Sequence, residues 1–268
     1  MVKVSISRAW DESRAVLARD GKLMASVALA LIVLPQVVLA VVGVPGSADA
    51  SAASKVLYVL VIFLGVVAQI ALNRLAIGPS VTVKEAIATA LIRLAPVVAV
   101  LVVAALVLGV ISGVIAYALG AAGLITVQVG GRPSAALIGI MIVLIALTFA
   151  ILQLIFPVAA VETGNPLRLV SRSWQLARGS YLRLLGFVVV VFVGLGLVIL
   201  AAQLGLGSVI VLLFGRADPG SMAALLLGIV AGILQAAFTV ITATMLARMY
   251  TQLAGRDEFQ ASVPRTGT

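Results

Sequence analysis

Glu162 is the acidic residue that directly follows an apolar block, so it is the first position to ask about chemistry. A carboxylate at the edge of a low-dielectric region is costly unless it is paired or hydrogen-bonded. Arg74, Arg93, Arg168 and Arg172 are the candidate partners by position. Such a group could serve as a general base, or it could staple an arginine-rich segment to its neighbours. The staple is the expectation, because Asn165-Pro166 just downstream opens a helix whose N-terminus is positively polarised. The remaining catalytic repertoire is missing. The chain has no histidine and no cysteine, which removes the commonest general acid–base, thiol nucleophiles, disulfides and thiolate metal sites. No cofactor or metal site is expected, and the chain reads as non-enzymatic. The alternative within catalysis is a membrane enzyme working through Glu, Asp and Arg alone.

Other side chains able to act are uncharged. Gln36, Gln69, Asn73, Gln153, Gln203 and Gln235 lie within or near apolar blocks. Stranded in lipid they would be costly, so they are expected to face other helices, as interhelical hydrogen bonds or as the lining of a substrate path. No acidic residue sits in the middle of a block, which argues against proton- or cation-coupled transport. Gly109 and Gly113, and then Ala224, Gly228, Gly232 and Ala236, place small residues at every fourth position. That spacing puts them on one helix face and permits close helix packing.

The elements that must hold these residues are hydrophobic. Apolar residues make up 63% of the chain and charged residues only 10%, and mean hydropathy is +1.28. Soluble domains use roughly 45–50% apolar residues. Six blocks, at about 23–42, 56–77, 96–119, 136–161, 184–204 and 222–249, each reach the roughly 20 residues needed to cross hydrocarbon. They are continuously apolar, whereas a barrel strand would alternate over about 10 residues. The expected fold is an all-α, six-helix membrane bundle over residues 1–255, with a polar tail at 256–268. The segment 205–220 is either a re-entrant piece or a surface loop.

Basic residues fill alternate gaps. Of the 18 Lys and Arg, 15 lie before the first block, between the second and third, between the fourth and fifth, or after the sixth. Lys55, Arg132 and Arg216 are the other three. This alternation predicts both termini in the cytoplasm, and it accounts for the net charge of +9 without nucleic acid as a partner. Ala48-Asp49-Ala50-Ser51-Ala52 offers small-x-small patterns for signal cleavage. The block before it is longer than the usual 7–15-residue h-region, so a retained helix is expected.

Three of the basic segments read as amphipathic elbow helices, at about 5–20, 82–95 and 165–178. In the first, Ile6, Trp10 and Leu17 share a face and Gly21 offers a stop. In the second, Thr82 and Glu85 have capping-box spacing, Val83, Ile87, Ala90, Leu91 and Leu94 form a stripe, and Pro96 is expected to end the element. In the third, Asn165 is the expected N-cap, Leu167, Val170, Trp174 and Ala177 form the apolar face, and Gly179 closes it. Trp10, Arg14, Arg19, Lys84, Arg93, Trp174, Arg178 and Arg183 are the candidate contacts to lipid headgroups. Anionic lipids on the cytoplasmic side are the expected partners.

Part of the chain is familiar. Pro157-Val158-Ala159-Ala160-Val161-Glu162, then Pro166-Leu167-Arg168, Ser171-Arg172-Ser173-Trp174-Gln175-Leu176-Ala177-Arg178-Gly179 and Tyr181-Leu182-Arg183, resemble the membrane domain fused to some glycerophosphoryl diester phosphodiesterases and the related YciC-like bacterial inner-membrane proteins. The resemblance implies six helices with amphipathic segments before the first, third and fifth. It does not carry the enzymatic activity, which in the fused relatives belongs to a soluble barrel with histidines and metal-binding carboxylates. Arg outnumbers Lys 14 to 4, a composition that suits a GC-rich bacterial genome. The expected function is a structural or accessory role in envelope homeostasis at a bacterial inner membrane. A transporter or lipid-translocating protein with a path between helices is the alternative.

Overall fold

Continuous apolar runs become helices here because a chain in hydrocarbon must satisfy every peptide group from within the segment. The structure is a computed structural model that describes residues 5–43, 52–78, 81–123 and 135–255. Among these residues every regular element is helical: α1 (Ile6–Ala28), a π turn (Leu29–Val33), α2 (Leu34–Val42), α3 (Ala52–Ile77), α4 (Val83–Ala121), α5 (Ala135–Leu152), α6 (Ile155–Val161), α7 (Pro166–Arg178), α8 (Tyr181–Ala202), a second π turn (Gln203–Gly207), α9 (Ser208–Phe214) and α10 (Met222–Ala254). They make six helices long and apolar enough to cross a membrane, namely Ile6–Val42, Ala52–Ile77, Val83–Ala121, Leu137–Val161, Tyr181–Phe214 and Met222–Ala254. This is the pattern of a multi-pass membrane protein. Of the small-residue segment 48–52 all but Ala52 lies outside the described residues, as does the tail at 256–268.

The core is built around α3. From Val66 to Ile77 it is buried except for half-buried Gln69 and Arg74, and α1, α2, α4, α6 and α10 pack around it. The helices α5 and α8 pack on each other at the periphery, where the Tyr181 hydroxyl donates to the Leu147 carbonyl at 2.9 Å. At one end of the bundle, the backbone N–H of Ser5 donates to Gln252 Oε1 at 3.1 Å, joining the start of α1 to the end of α10. At the opposite end Gly220 donates to the Val41 carbonyl at 2.8 Å.

The three elbows differ in construction. The first and second are not separate elements: α1 runs through Gly21 and α4 runs through Pro96 without interruption. Glycine in a helix costs only about 1 kcal/mol relative to alanine, and buried Met24 and Val27 hold the next turns in place. Proline removes a donor and crowds the carbonyl four residues earlier. Here Ala86, Ala90, Val97 and Val100, buried on both sides of Pro96, keep the helix continuous. These helices therefore extend past the span. A 37-residue helix is about 55 Å long, against ~30 Å of hydrocarbon.

The third elbow is a separate helix. Pro166 disfavours helical backbone at the preceding residue, and Asn165 is extended (φ −71°, ψ 160°). The Asn165 side chain makes no capping bond; its carbonyl accepts from Arg168 and Leu169 instead. Thr82 does cap α4, accepting from the Glu85 N–H at 3.2 Å. The segment 205–220 is not re-entrant. It continues α8 through the π turn into α9, then reverses at Gly215 (φ +83°) and Gly220 (φ +80°), left-handed conformations that glycine adopts without strain.

Candidate functional site

The α7 helix lies at the end of the bundle where α1 begins and where α3, α6 and α10 finish. Its buried residues are Leu169, Ser173, Leu176 and Ala177. The expected face of Leu167, Val170, Trp174 and Ala177 is thus only one-quarter internal. Leu167 is 84% exposed and Trp174 52%, with Val170 exposed beside them. At 100° per residue the buried and exposed apolar positions adjoin in one broad arc. The bundle takes one half of that arc and leaves the other outward. Arg168, Ser171, Gln175 and Arg178, all exposed, occupy the remaining face.

Glu162 anchors this helix. Its Oε1 accepts from Arg172 Nε at 3.0 Å and from the Tyr250 hydroxyl at 3.0 Å. The ion pair is about 30% exposed at Arg172 and 27% at Glu162. One carboxylate oxygen therefore joins the end of α6, the middle of α7 and the last turns of α10. Of the four arginines expected as partners, Arg172 is the one in place. Arg74 instead faces Glu85 at 3.8 Å, because the short α3–α4 connection brings the two helix ends together. Arg93 and Arg168 make no ion pair among the described residues. Sequence reasoning missed Tyr250, whose only signal was a phenol at the end of an apolar block. It also missed the role of Arg248, which donates from Nη2 to the Ala76 carbonyl at the C-terminus of α3, where a cation meets the negative end of the helix dipole.

The expected headgroup contacts are at the surface. Trp10, Arg14, Arg19, Lys84, Trp174, Arg178 and Arg183 are exposed, and Arg93 is half-buried. Arg19 is paired with Asp20 at 2.6 Å. In the first turns of α1 the buried positions are Ala9, Ser13 and Val16, so Ile6 and Trp10 point away from the bundle while Leu17 packs partly against it. Leu91 on α4 likewise faces outward.

The small residues fall into two groups. A Cβ on Gly228 would lie 2.7 Å from Ala40 Cβ and 3.2 Å from Val37 Cα, and one on Gly232 would lie 3.2 Å from Val33 Cα. With buried Ala224 and Ala236, this stripe seats α10 against the first membrane helix of the same chain. Gly109 and Gly113 do not mark such an approach: a Cβ on either meets nothing within 4 Å. A four-residue spacing shows which face is small, not whether another helix lies against it.

A family model described as a domain of unknown function, DUF7847, matches residues 4–253. The chain belongs to that family. No curated protein and no solved structure matches it. The DUF7847 match takes in α1 through nearly all of α10, so Glu162, Arg172 and Tyr250 all lie within the family's unit.

Proposed function

We propose that this is a multi-pass protein of a bacterial cytoplasmic membrane, both termini inside, with a structural or accessory role in membrane or envelope homeostasis and no reaction of its own. The observation that carries the reading is α7: a helix clamped to the bundle through Glu162, with Leu167, Val170 and Trp174 outward and arginines along the adjoining face. Such a helix suits the plane of the interface, its apolar strip among acyl chains and its guanidinium groups among headgroups. Anionic lipid is the preferred contact, each surface-near Lys or Arg adding about 1 kcal/mol. The outward faces of Ile6 and Trp10, and of Leu91 beside Arg93, support the same use of the first two elbows as lipid-facing ends of long helices. The resemblance of residues 157–183 to phosphodiesterase membrane domains and YciC-like proteins is consistent with this reading.

Fluorescence tests it. In a Trp10→Phe background Trp174 is the single tryptophan. Lipids brominated near the headgroup should quench it strongly, and brominated phosphatidylglycerol more than phosphatidylcholine. An unquenched Trp174 would mean that α7 stands free of the bilayer and would remove the basis of the proposal.

A further inference from the structure

The fourth membrane helix is broken about two-thirds of the way along, at Gln153 and Leu154 between α5 and α6. Pro157 explains the break: it has no N–H for the Gln153 carbonyl, and its ring crowds that oxygen. Leu154 bonds instead to the Ile151 carbonyl at 3.1 Å, a tighter turn. The Gln153 side chain is 2% exposed, and neither its Oε1 nor its Nε2 has a hydrogen-bond partner. An unpaired carboxamide this deep forfeits its hydration with nothing in return.

That carboxamide lines a cavity of about 440 Å³, together with Gln36, Gln69 and Gln235 from three other helices and the rings of Phe149 and Phe156. Thr239 and Thr242 also border it, but their hydroxyls donate to carbonyls of their own helix. The carboxamides are therefore the polar groups left to offer. Gln36 and Gln235 belong as well to a second crevice of about 840 Å³ between α10 and the α8–α9 helix, which Gln203 and the exposed Leu212 also line. Both volumes lie in the range of small-molecule sites. The helix irregularities gather at the same place. Leu31 and Ile32 of the first π turn line the smaller cavity, and Gln203 and Gly207 of the second line the larger crevice. Broken membrane helices and π turns recur where a bundle holds a ligand.

Among the described residues neither space is lined by a charged side chain. A phosphate, carboxylate or ammonium placed there would be buried unpaired. Carboxamides both donate and accept, so they suit hydroxyl, ester or amide groups. We propose that the two crevices form one binding site for an uncharged amphiphile, a neutral glycerolipid whose hydroxyl and ester oxygens meet Gln153 and its neighbouring glutamines while a chain lies along the α8–α10 crevice. The site runs from buried Gln153 out between the helices to the exposed Gln235, Gln203 and Leu212, and it is independent of how α7 meets the bilayer.

The test uses the full chain in nanodiscs and a diacylglycerol carrying a photoactivatable group in one chain. Labelling should saturate, map to α8–α10, and be displaced by unlabelled diacylglycerol at least tenfold more effectively than by phosphatidylglycerol. Gln153→Leu should weaken labelling about tenfold, the scale of one or two lost hydrogen bonds, while the variant melts no lower than the parent because an unpaired amide has gone. Gly65→Val supplies the second arm. Gly65 lines the smaller cavity and a Cβ there meets nothing within 4 Å, so the added side chain fills the site without displacing the helices, and labelling should again fall. Labelling that does not saturate, equal displacement by phosphatidylglycerol, or full labelling in both variants would overturn the proposal. A Gln153→Leu protein that melts lower yet labels fully would make the amide a packing group and overturn it too. Should Gln153→Leu fail to fold, Gly65→Val decides.

Discussion

The carboxylate of Glu162 serves three elements through one oxygen, and its surroundings favour a structural use. A catalytic base needs a reachable substrate proton and no dominant competing donor; here Arg172 and Tyr250 both occupy Oε1 at 3.0 Å. Glu162→Gln should lower the stability of the detergent-solubilised protein by about 1–2 kcal/mol, and Tyr250→Phe by about 1 kcal/mol. The double variant should cost less than the sum, since both changes strike one network. Thermal unfolding of the three variants measures this, together with protease protection of α7. If Glu162→Gln unfolds like the parent while a lipid-dependent phenotype disappears, the carboxylate is functional and the staple is wrong. The need for a partner was legible in the sequence, because an acidic residue at the edge of an apolar block must be neutralised. Which arginine meets it was not, since that depends on where α7 crosses the bundle. Tyr250 lies 88 residues away along the chain.

At the scale of elements, hydropathy marked where each helix is apolar and not where its hydrogen bonding ends. The block expected at 184–204 is part of a helix reaching Phe214, and that expected at 96–119 begins at Val83. Glycine and proline punctuate helices in water, but Gly21 and Pro96 lost to the packing on either side of them. Pro166 instead opens α7 and holds Asn165 extended before it. The glycine pattern was similarly half-informative. Gly228→Ala should destabilise the protein by about 1–3 kcal/mol, the cost of overpacking against Val37 and Ala40. Gly109→Ala should be neutral or slightly stabilising, since alanine is the better helix former and space is open. Paired melting curves distinguish these outcomes. Equal effects at the two positions would contradict the assignment of α10 and the first membrane helix as the close-packed pair.

For the whole molecule, composition and block length were sufficient to read six membrane helices, because the bilayer imposes both requirements at once. The crevices were not legible. Six amides could be seen in the apolar blocks, but the convergence of five of them, all but Asn73, depends on the helix break at Gln153 and on two π turns, which leave no periodic signal. The account as a whole depends on one arrangement: α7 and both chain ends on the cytoplasmic side, the α9–α10 turn on the other. The absence of native cysteine makes the decisive measurement clean. Single-cysteine variants Ser5→Cys, Arg178→Cys and Arg216→Cys are treated in intact cells with a membrane-impermeant maleimide, then again after permeabilisation. The account predicts labelling of only the Arg216→Cys variant in intact cells and of all three after permeabilisation. Labelling of the Arg178→Cys variant in intact cells would place α7 on the outer face and contradict the account.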